Sequence, residues 1–387
     1  MSVTQQHQDD ILNHWLLLHH TPGLGSVRIK QLVDQEIDPR ELTCGGVALH
    51  NNLRLPDKVR NFLNKPQWNL IDRDLNWANE KNHHIISIQS PLYPQLLREI
   101  ADPPAVLYVQ GDPEVLQYPQ LAIVGSRNPS HYGRESAFEF ARHLSQSGLV
   151  ITSGLAIGID SAGHRGALEG NGVTIAVMGT GLDRVYPAQN KSLAEQISQQ
   201  GALVSEFSIG SGALAHHFPR RNRIISAISI GTLVVEAAVQ SGSLITARQA
   251  MEQGREVFAI PGSIHNPLAR GCHLLIRDGA KLVENSADIL HELVPQIGKL
   301  KQYQNCSGQK YNENKRVDQH VENTNPNMLS GTIAQLFECI ELQPVSIDTL
   351  VQRSQLTAES ISSMLVELEL GGYIKSSAGM YSRSLQE

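Results

Sequence analysis

The sequence predicts an α/β protein. Its core is a Rossmann-like, doubly wound parallel sheet, preceded by a small helical domain and followed by a winged-helix domain. Three observations carry this. Short β-branched runs recur at LAIVG (Leu121–Gly125), LVITS (Leu149–Ser153), TIAVM (Thr174–Met178), LVS (Leu203–Ser205), TLVV (Thr232–Val235) and EVFAI (Glu256–Ile260). Continuous apolar runs of this length suit strands buried on both faces. Helical stretches separate them, for example Tyr132–Gln146, Asp160–Leu168, Asn190–Gln200 and Ser243–Gln253. Strand–helix alternation of this kind implies parallel pairing. Secondly, residues 1–85 read as short helices punctuated by Pro, Gly and Asn, and hold Trp15, Trp68 and Trp77. Thirdly, residues 298–327 are dense in Asn, Gln and Lys with little to bury, which reads as a linker. The expected division is therefore 1–85, 86–297, a linker over 298–327, and a module over 328–387.

Composition narrows the function. The 387 residues are 41% apolar and 18% charged, with 32 Lys plus Arg against 38 Asp plus Glu, a net charge of −6. That excludes a globally basic nucleic-acid coat but leaves a local basic groove open. The four cysteines, Cys44, Cys272, Cys306 and Cys339, form no CxxC pair. Neither a disulfide framework nor a zinc site is expected. The amino end lacks a basic stretch followed by an apolar one, and no apolar run reaches membrane-spanning length. A cytoplasmic protein is expected, with no metal, no cofactor and no membrane partner.

Doubly wound sheets bind ligands beyond the carboxyl ends of their strands. The residues at those ends are Gly125, Ser126 and Arg127; Ser153 and Gly154; Gly179 to Gly181; and the Pro219–Arg223 segment. Small residues there let a phosphate approach backbone N–H groups, although each glycine singly is explained by turn geometry. A dinucleotide is disfavoured. The first central strand leads into GSRNPSHYG rather than GxGxxG, and LVITSG lacks the acidic residue that would hold a ribose. The P-loop GxxxxGK[ST] is also missing.

Charge placement says more. Val115 to Arg134 contains no Asp or Glu but includes Arg127, His131 and Arg134. Phe207 to Val235 is also free of carboxylates, and places Arg220, Arg221, Asn222 and Arg223 beside His216, His217 and Phe218. Two such segments on strand-end loops would converge on an electropositive crevice. Arginine suits phosphate because its planar fork donates two parallel hydrogen bonds. Phe218 and Tyr132 offer surfaces on which unpaired bases can stack. Backbone N–H groups at Ser126, Arg127 and Gly154 are expected to add phosphate contacts, four to six in all, giving a log–log salt slope of roughly −3 to −4 on a single strand. No catalytic residue stands out, and His216 and His217 read as groups meeting phosphate.

These segments carry a resemblance. YPQLLREIADPPAVLYVQG within 89–111, AIVGSRNPSHYG, ITSGLAIGIDSAGHRGAL, VMGTGLDRVYPAQN, FPRRNRIISAIS and GTLVVEAAVQSGSLITARQAMEQGREVFAIPG resemble, in this order, the DNA-processing protein DprA (Smf) family. The match spans roughly residues 85–295. The resemblance implies a protein that binds single-stranded DNA and promotes loading of the RecA recombinase, serving DNA uptake in competent bacteria. It also implies a homodimer, with single-strand-binding protein as a further candidate partner. On the family's pattern the GSR arginine is Arg127, the FPxRNR arginines are Arg221 and Arg223, and Arg220 holds the variable position. Lys191, beside the YPxxN motif, joins the same groove.

One enzymatic alternative stands beside this reading. Gly231-Thr232 followed by Glu236 resembles the GT-x-x-x-E end of nucleotide phosphoribohydrolases, in which the glutamate would assist departure of a base. Ser229-Ile230 stand where paired glycines are expected there. The plainer expectation is that Glu236 pairs with Arg223 or Arg248.

The flanking modules say less. TPGLGS (Thr21–Ser26) between two helical stretches resembles a single helix-hairpin-helix turn, with Arg28 and Lys30 placed for weak phosphate contact; a helical packing module explains it equally well. In the carboxyl module, helices are expected over Thr332–Leu342 and Thr357–Leu370 with another opening at Val345–Asp348, and a hairpin wing over Tyr373–Lys375 and Met380–Ser382. The last helix carries Glu359, Glu367 and Glu369 and no Lys or Arg. Such a helix would be repelled by a DNA major groove, so a protein-contact or weakly DNA-associated role is expected for this module.

Overall fold

The computed structural model describes residues 11–44 and 46–306. In the carboxyl region it describes 336, 337, 340, 345–354, 356, 357, 361, 364, 365, 368, 374–377 and 380–383. The chain forms two compact units, Met1–Gly308 and Gln309–Glu387.

The first unit is built on a nine-stranded sheet. Its strands are β1 (His83–Ser87), β2 (Val106–Gly111), β3 (Gln120–Val124), β4 (Val150–Ser153), β5 (Thr174–Val177), β6 (Ala202–Ser205), β7 (Gly231–Val234), β8 (Glu256–Ala259) and β9 (Lys281–Leu282). They lie in the order β1-β2-β6-β5-β4-β3-β7-β8-β9. Every pair from β6 to β9 is parallel, and β1 and β2 add antiparallel strands at one edge. The doubly wound α/β expectation holds.

Alternation along each strand divides the core between the two faces. Leu121, Ile123, Ile151, Leu233 and Phe258 belong to one apolar cluster, together with Ala137, Ala141 and Leu144 of α8 (His131–Gln146) and Ile159 and Ala162 of α9 (Ile159–Glu169). Their neighbours Ala122, Val124, Val150, Val234 and Val257 face the other cluster. That cluster includes Ile224 and Ile225 of α11 (His217–Ile228) and Leu244 and Ala247 of α12 (Gly242–Glu252). Side chains of period two explain why an uninterrupted apolar run serves two layers of helices.

The same second cluster extends into the amino-terminal helices through Trp15, Leu16, Leu32 and Trp77. These helices are α1 (Ile11–His20), α2 (Ser26–Asp34), α3 (Pro39–Cys44), α4 (Gly46–Asn52), α5 (Asp57–Leu63) and α6 (Asp72–Ala78). Polar ties add to the docking. Trp15 Nε1 donates to Gln89 at 3.2 Å, His19 Nε2 lies 3.0 Å from Ser208 Oγ, and Asp74 accepts from Ile209 N–H at 3.2 Å while binding His20 at 2.6 Å. A short α7 (Gln95–Arg98), α10 (Lys191–Gln200), α13 (Arg270–Arg277) and α14 (Ser286–Cys306) complete the unit. The tract expected to be a linker therefore starts as helix through Cys306, and its remaining residues lie outside those described.

The second unit holds α15 (Ile347–Ser354) and a three-stranded sheet. The sheet, in the order β10-β12-β11, comprises β10 (Val345–Ser346), β11 (Ile374–Ser377) and β12 (Met380–Arg383). β11 and β12 pair antiparallel with Ser377 opposite Met380, which is the expected wing. Leu336, Ile340, Leu350, Ile361, Leu365 and Leu368 form its apolar cluster. Glu359, Glu367 and Glu369 lie outside the described residues.

Candidate nucleic-acid interface

From β3 the chain winds outward to β6, then returns to lay β7 on the opposite side of β3. The carboxyl ends of β3 and β7 therefore flank the reversal point of the sheet, where such folds open a crevice. A cleft of about 740 Å³ lies there, lined among others by Gly125, Ser126, Arg127, Phe218, Arg221 and Asn222. Six of the eleven residues expected from the sequence thus share one cavity.

The backbone of the Gly125–Arg127 turn is already engaged. Ser126 N–H donates to Glu236 O at 2.7 Å, and Ser126 O accepts from Ile159 N–H at 3.1 Å. Gly125 is required by this closeness, since a Cβ there would sit 2.7 Å from Ile159 Cγ1. Gly154 N–H donates to Asp160 Oδ2 at 3.1 Å. The expectation that Ser126 and Gly154 offer free amides to phosphate is corrected: both are used within the fold. Ser153 is fully buried and its hydroxyl donates to Ile123 O at 2.6 Å, tying β4 to β3.

What the turn presents is the Arg127 side chain. It is exposed, its guanidinium lies 5.9 Å from the centroid of the Phe218 ring, and no carboxylate among the described residues pairs with it. Tyr186, 48% exposed, extends the row with its ring centroid 5.5 Å from Phe218. Sequence reading missed Tyr186, although the YPxxN motif contains it. Tyr132 stands exposed on the first turn of α8.

Arg221 forms the cleft's wall. It is 4% exposed, donates to Gly154 O at 2.6 Å and to Val177 O, and its Nε reaches Asn222 Oδ1 at 3.1 Å. Burial pushes its pKa down to about 10, with Asp160 opposing the shift and Arg127 adding to it. It stays charged at neutral pH. Asp160 is the one carboxylate lining the cleft among the described residues, and it accepts from Gly154 and Ala156 N–H. Burial raises its pKa, against the pull of Arg221.

The remaining cations go elsewhere. Arg223 is buried, its Nη2 lies 2.6 Å from Glu206 Oε2, its Nε lies 3.2 Å from Asp102 Oδ2, and its Nη1 donates to Asp102 O. Arg220 is half exposed, reaches the same Glu206 oxygen at 2.9 Å, and lies over the Phe207 ring. It lines a separate pocket with Gly23 to Ser26 of the amino-terminal hairpin. Lys191 is exposed at the start of α10 and is not among the residues lining the cleft. The structure therefore does not gather Arg220, Arg223 and Lys191 with Arg127. His217 stacks on Phe207 at 3.9 Å and sits 3.2 Å from Gly179 O, and burial lowers its pKa.

Glu236 pairs with neither Arg223 nor Arg248. Its carboxylate accepts from Ser130 N–H at 2.8 Å and from Ser130 Oγ–H at 2.6 Å, while Ser130 Oγ caps α8 by accepting from Gly133 N–H. It is buried and does not line the cleft. No group of His, Cys, Asp and Glu among the described residues is arranged to hold a metal, and no helix among them is long and apolar enough to cross a membrane.

Comparison with known proteins places this geometry. The family model for DNA recombination-mediator protein A matches residues 84–294, and that for the DprA winged helix domain matches 322–380. Protein Smf of Escherichia coli is 42% identical over 386 residues, covering 99% of this chain and 94% of that protein. DNA processing protein DprA of Streptococcus pneumoniae is 49% identical over 206 residues, covering 53% of this chain and 73% of its own length. An X-ray structure of the Streptococcus pneumoniae DprA superposes with a TM-score of 0.64 at 40% identity, covering 72% of this chain and 97% of that one. A match over the parallel core, a second over the winged unit and a full-length relative agree, and the chain belongs to the DprA (Smf) family of DNA recombination-mediator proteins.

Proposed function

We propose that the chain is a non-enzymatic mediator that binds single-stranded DNA in the cleft at the β3–β7 reversal and promotes loading of RecA on that strand. The observation that carries this is the exposed Arg127 guanidinium over the Phe218 ring, beside a charged Arg221. A cation next to an aromatic face suits a phosphate with its unpaired base, and selects no sequence. Asp160, the carboxylate in the cleft, is held by two backbone amides and compensated by Arg221. Glu236 is committed to Ser130, the residue that caps α8, which favours binding over base release. Family membership supports the recombination role, and with it RecA, single-strand-binding protein and a second copy of the chain as partners.

The geometry revises the expected salt response. With Arg127 and Arg221 as the cleft's cations, a single strand should show a log–log slope of about −1.4 per cleft, and about −3 where a homodimer presents two. The test is fluorescence anisotropy of a labelled oligo-dT across a salt series, with duplex as competitor. Wild type is expected to prefer the single strand, and Arg127→Ala to weaken binding and flatten the slope by about 0.7 per cleft. Salt-independent binding, or an Arg127→Ala variant indistinguishable from wild type, overturns the assignment. RecA loading is then read as faster RecA filament formation on strands coated with single-strand-binding protein, and no acceleration overturns that part.

A further inference from the structure

We infer that Asn190 is a positioning residue for Arg127, acting through a left-handed turn at Leu155. The inference rests on the reading of the cleft as the strand-binding site. Asn190 is buried just before α10, and its Nδ2 donates to Leu155 O at 2.8 Å and to Ser161 Oγ at 3.0 Å. Leu155 is fully buried with φ at 56°. Leucine is disfavoured in this region, because its Cβ crowds the following carbonyl, and holds it only where neighbours fix the backbone.

The turn is fixed from three sides. Asn190 grips the Leu155 carbonyl, Ser161 Oγ donates to Ala156 O at 2.6 Å, and the Asp160 carboxylate accepts from the N–H groups of Gly154 and Ala156. The other end of the turn supports the Arg127 backbone. Gly158 has φ at 87°, and a Cβ there would lie 2.4 Å from Ser126 O and 2.6 Å from Arg127 O. Ile159 N–H donates to Ser126 O at 3.1 Å. Backbone at 154–159 is thus the floor on which Ser126 and Arg127 rest. Without the Asn190 amide, Leu155 can relax toward ordinary φ, Gly158 shifts, and Arg127 loses its place over Phe218. Asn190 itself does not line the cleft.

The test uses the full chain with Asn190→Ala, Arg127→Ala and the double variant. Asn190→Ala is expected to weaken oligo-dT binding about tenfold and to flatten the salt slope toward that of Arg127→Ala. In the Arg127→Ala background it should cost less than about twofold, because the two act in series. Amide hydrogen exchange over 125–128 and 155–159 should quicken while β5 and β6 keep their protection. Unchanged affinity and slope overturn the inference, as does an equal loss with and without Arg127. If Asn190→Ala fails to fold, Ser161→Ala is read the same way, with a loss of about threefold. If wild type does not bind oligo-dT, the cleft reading falls, and exchange over 125–128 in the variant alone decides the positioning claim.

Discussion

Arg223 meets Glu206 at 2.6 Å inside the protein, with 5% and 1% of their surfaces exposed. Burial pushes the Glu206 carboxyl pKa up, and Arg223 followed by Arg220 pulls it back. This couple is architectural: it fastens α11 to the loop after β6 and, through Asp102, to the segment before β2. Removing Arg223 leaves the buried Glu206 with only the half-exposed Arg220 at 2.9 Å to compensate it, so Arg223→Ala should cost about 3 kcal/mol, the low end for a broken buried pair. Arg223→Met with Glu206→Gln should recover much of it. Urea unfolding of wild type and the two variants checks this, and a cost below about 1 kcal/mol for Arg223→Ala would contradict the assignment.

Arg220 and Arg127 should separate in a binding assay. Arg220 is half exposed but is committed to Glu206 and the Phe207 ring, in a pocket apart from the cleft. Arg220→Ala is expected to leave oligo-dT affinity within about twofold and the salt slope unaltered, whereas Arg127→Ala lowers both. Equal losses would show that the strand runs across both pockets.

Glu236 offers a test between binding and turnover. Its two carboxylate oxygens accept separately from Ser130 N–H and Ser130 Oγ–H, so glutamine keeps one acceptor and loses the other, and Glu236→Gln should cost about 1–3 kcal/mol of stability. Its strand affinity should stay within about twofold of wild type, and neither protein should release free base from nucleotides. Base release by wild type that Glu236→Gln abolishes would establish the enzymatic alternative instead.

How much of this was legible follows from where the partners lie. The strands and the crevice were readable because buried parallel strands write continuous apolar runs, and the strand-end residues follow directly. The cation set was not. The acid-free window begins at Phe207, one residue after the carboxylate that takes both Arg220 and Arg223. Arg223's second partner, Asp102, is 121 residues away. Position within a window of sequence cannot show which arginine a distant carboxylate will claim. The free amide expected at Ser126 failed for the same reason, since its acceptor, Glu236 O, is brought up by the return of the chain, whereas Gly154 N–H is taken locally by Asp160 Oδ2 at the start of α9. Arg127 was readable as a strand-end residue because it directly follows the β3 run, but Asn190, Leu155 and Gly158 are joined to one another and to its turn only in three dimensions.

A buried histidine gives the fold a predictable response to acid. His164 is fully buried on α9, with Nδ1 2.7 Å from Thr174 Oγ1. That hydroxyl donates to Ile151 O, so it accepts from the imidazole, which fixes the neutral ring with its proton on Nδ1. Nε2 is buried without a partner, and protonating it would place a charge in the core near Arg221. Burial, then Arg221, lowers the pKa from 6.5 to about 3. The unfolded chain therefore binds the proton first: the stability from the neutral ring is complete above about pH 6.5 and is lost as pH falls toward 3. Between pH 7 and pH 5 the loss from this group should be about 2 kcal/mol. Asp160 acts with opposite sign, because its raised pKa lets the folded state take up a proton first as pH falls. The comparison that isolates His164 is therefore urea unfolding of wild type and His164→Gln at both pH values. Wild type should lose about 2 kcal/mol more than the variant on going to pH 5, and parallel losses would mean that the imidazole takes up its proton as readily in the fold as in the unfolded chain.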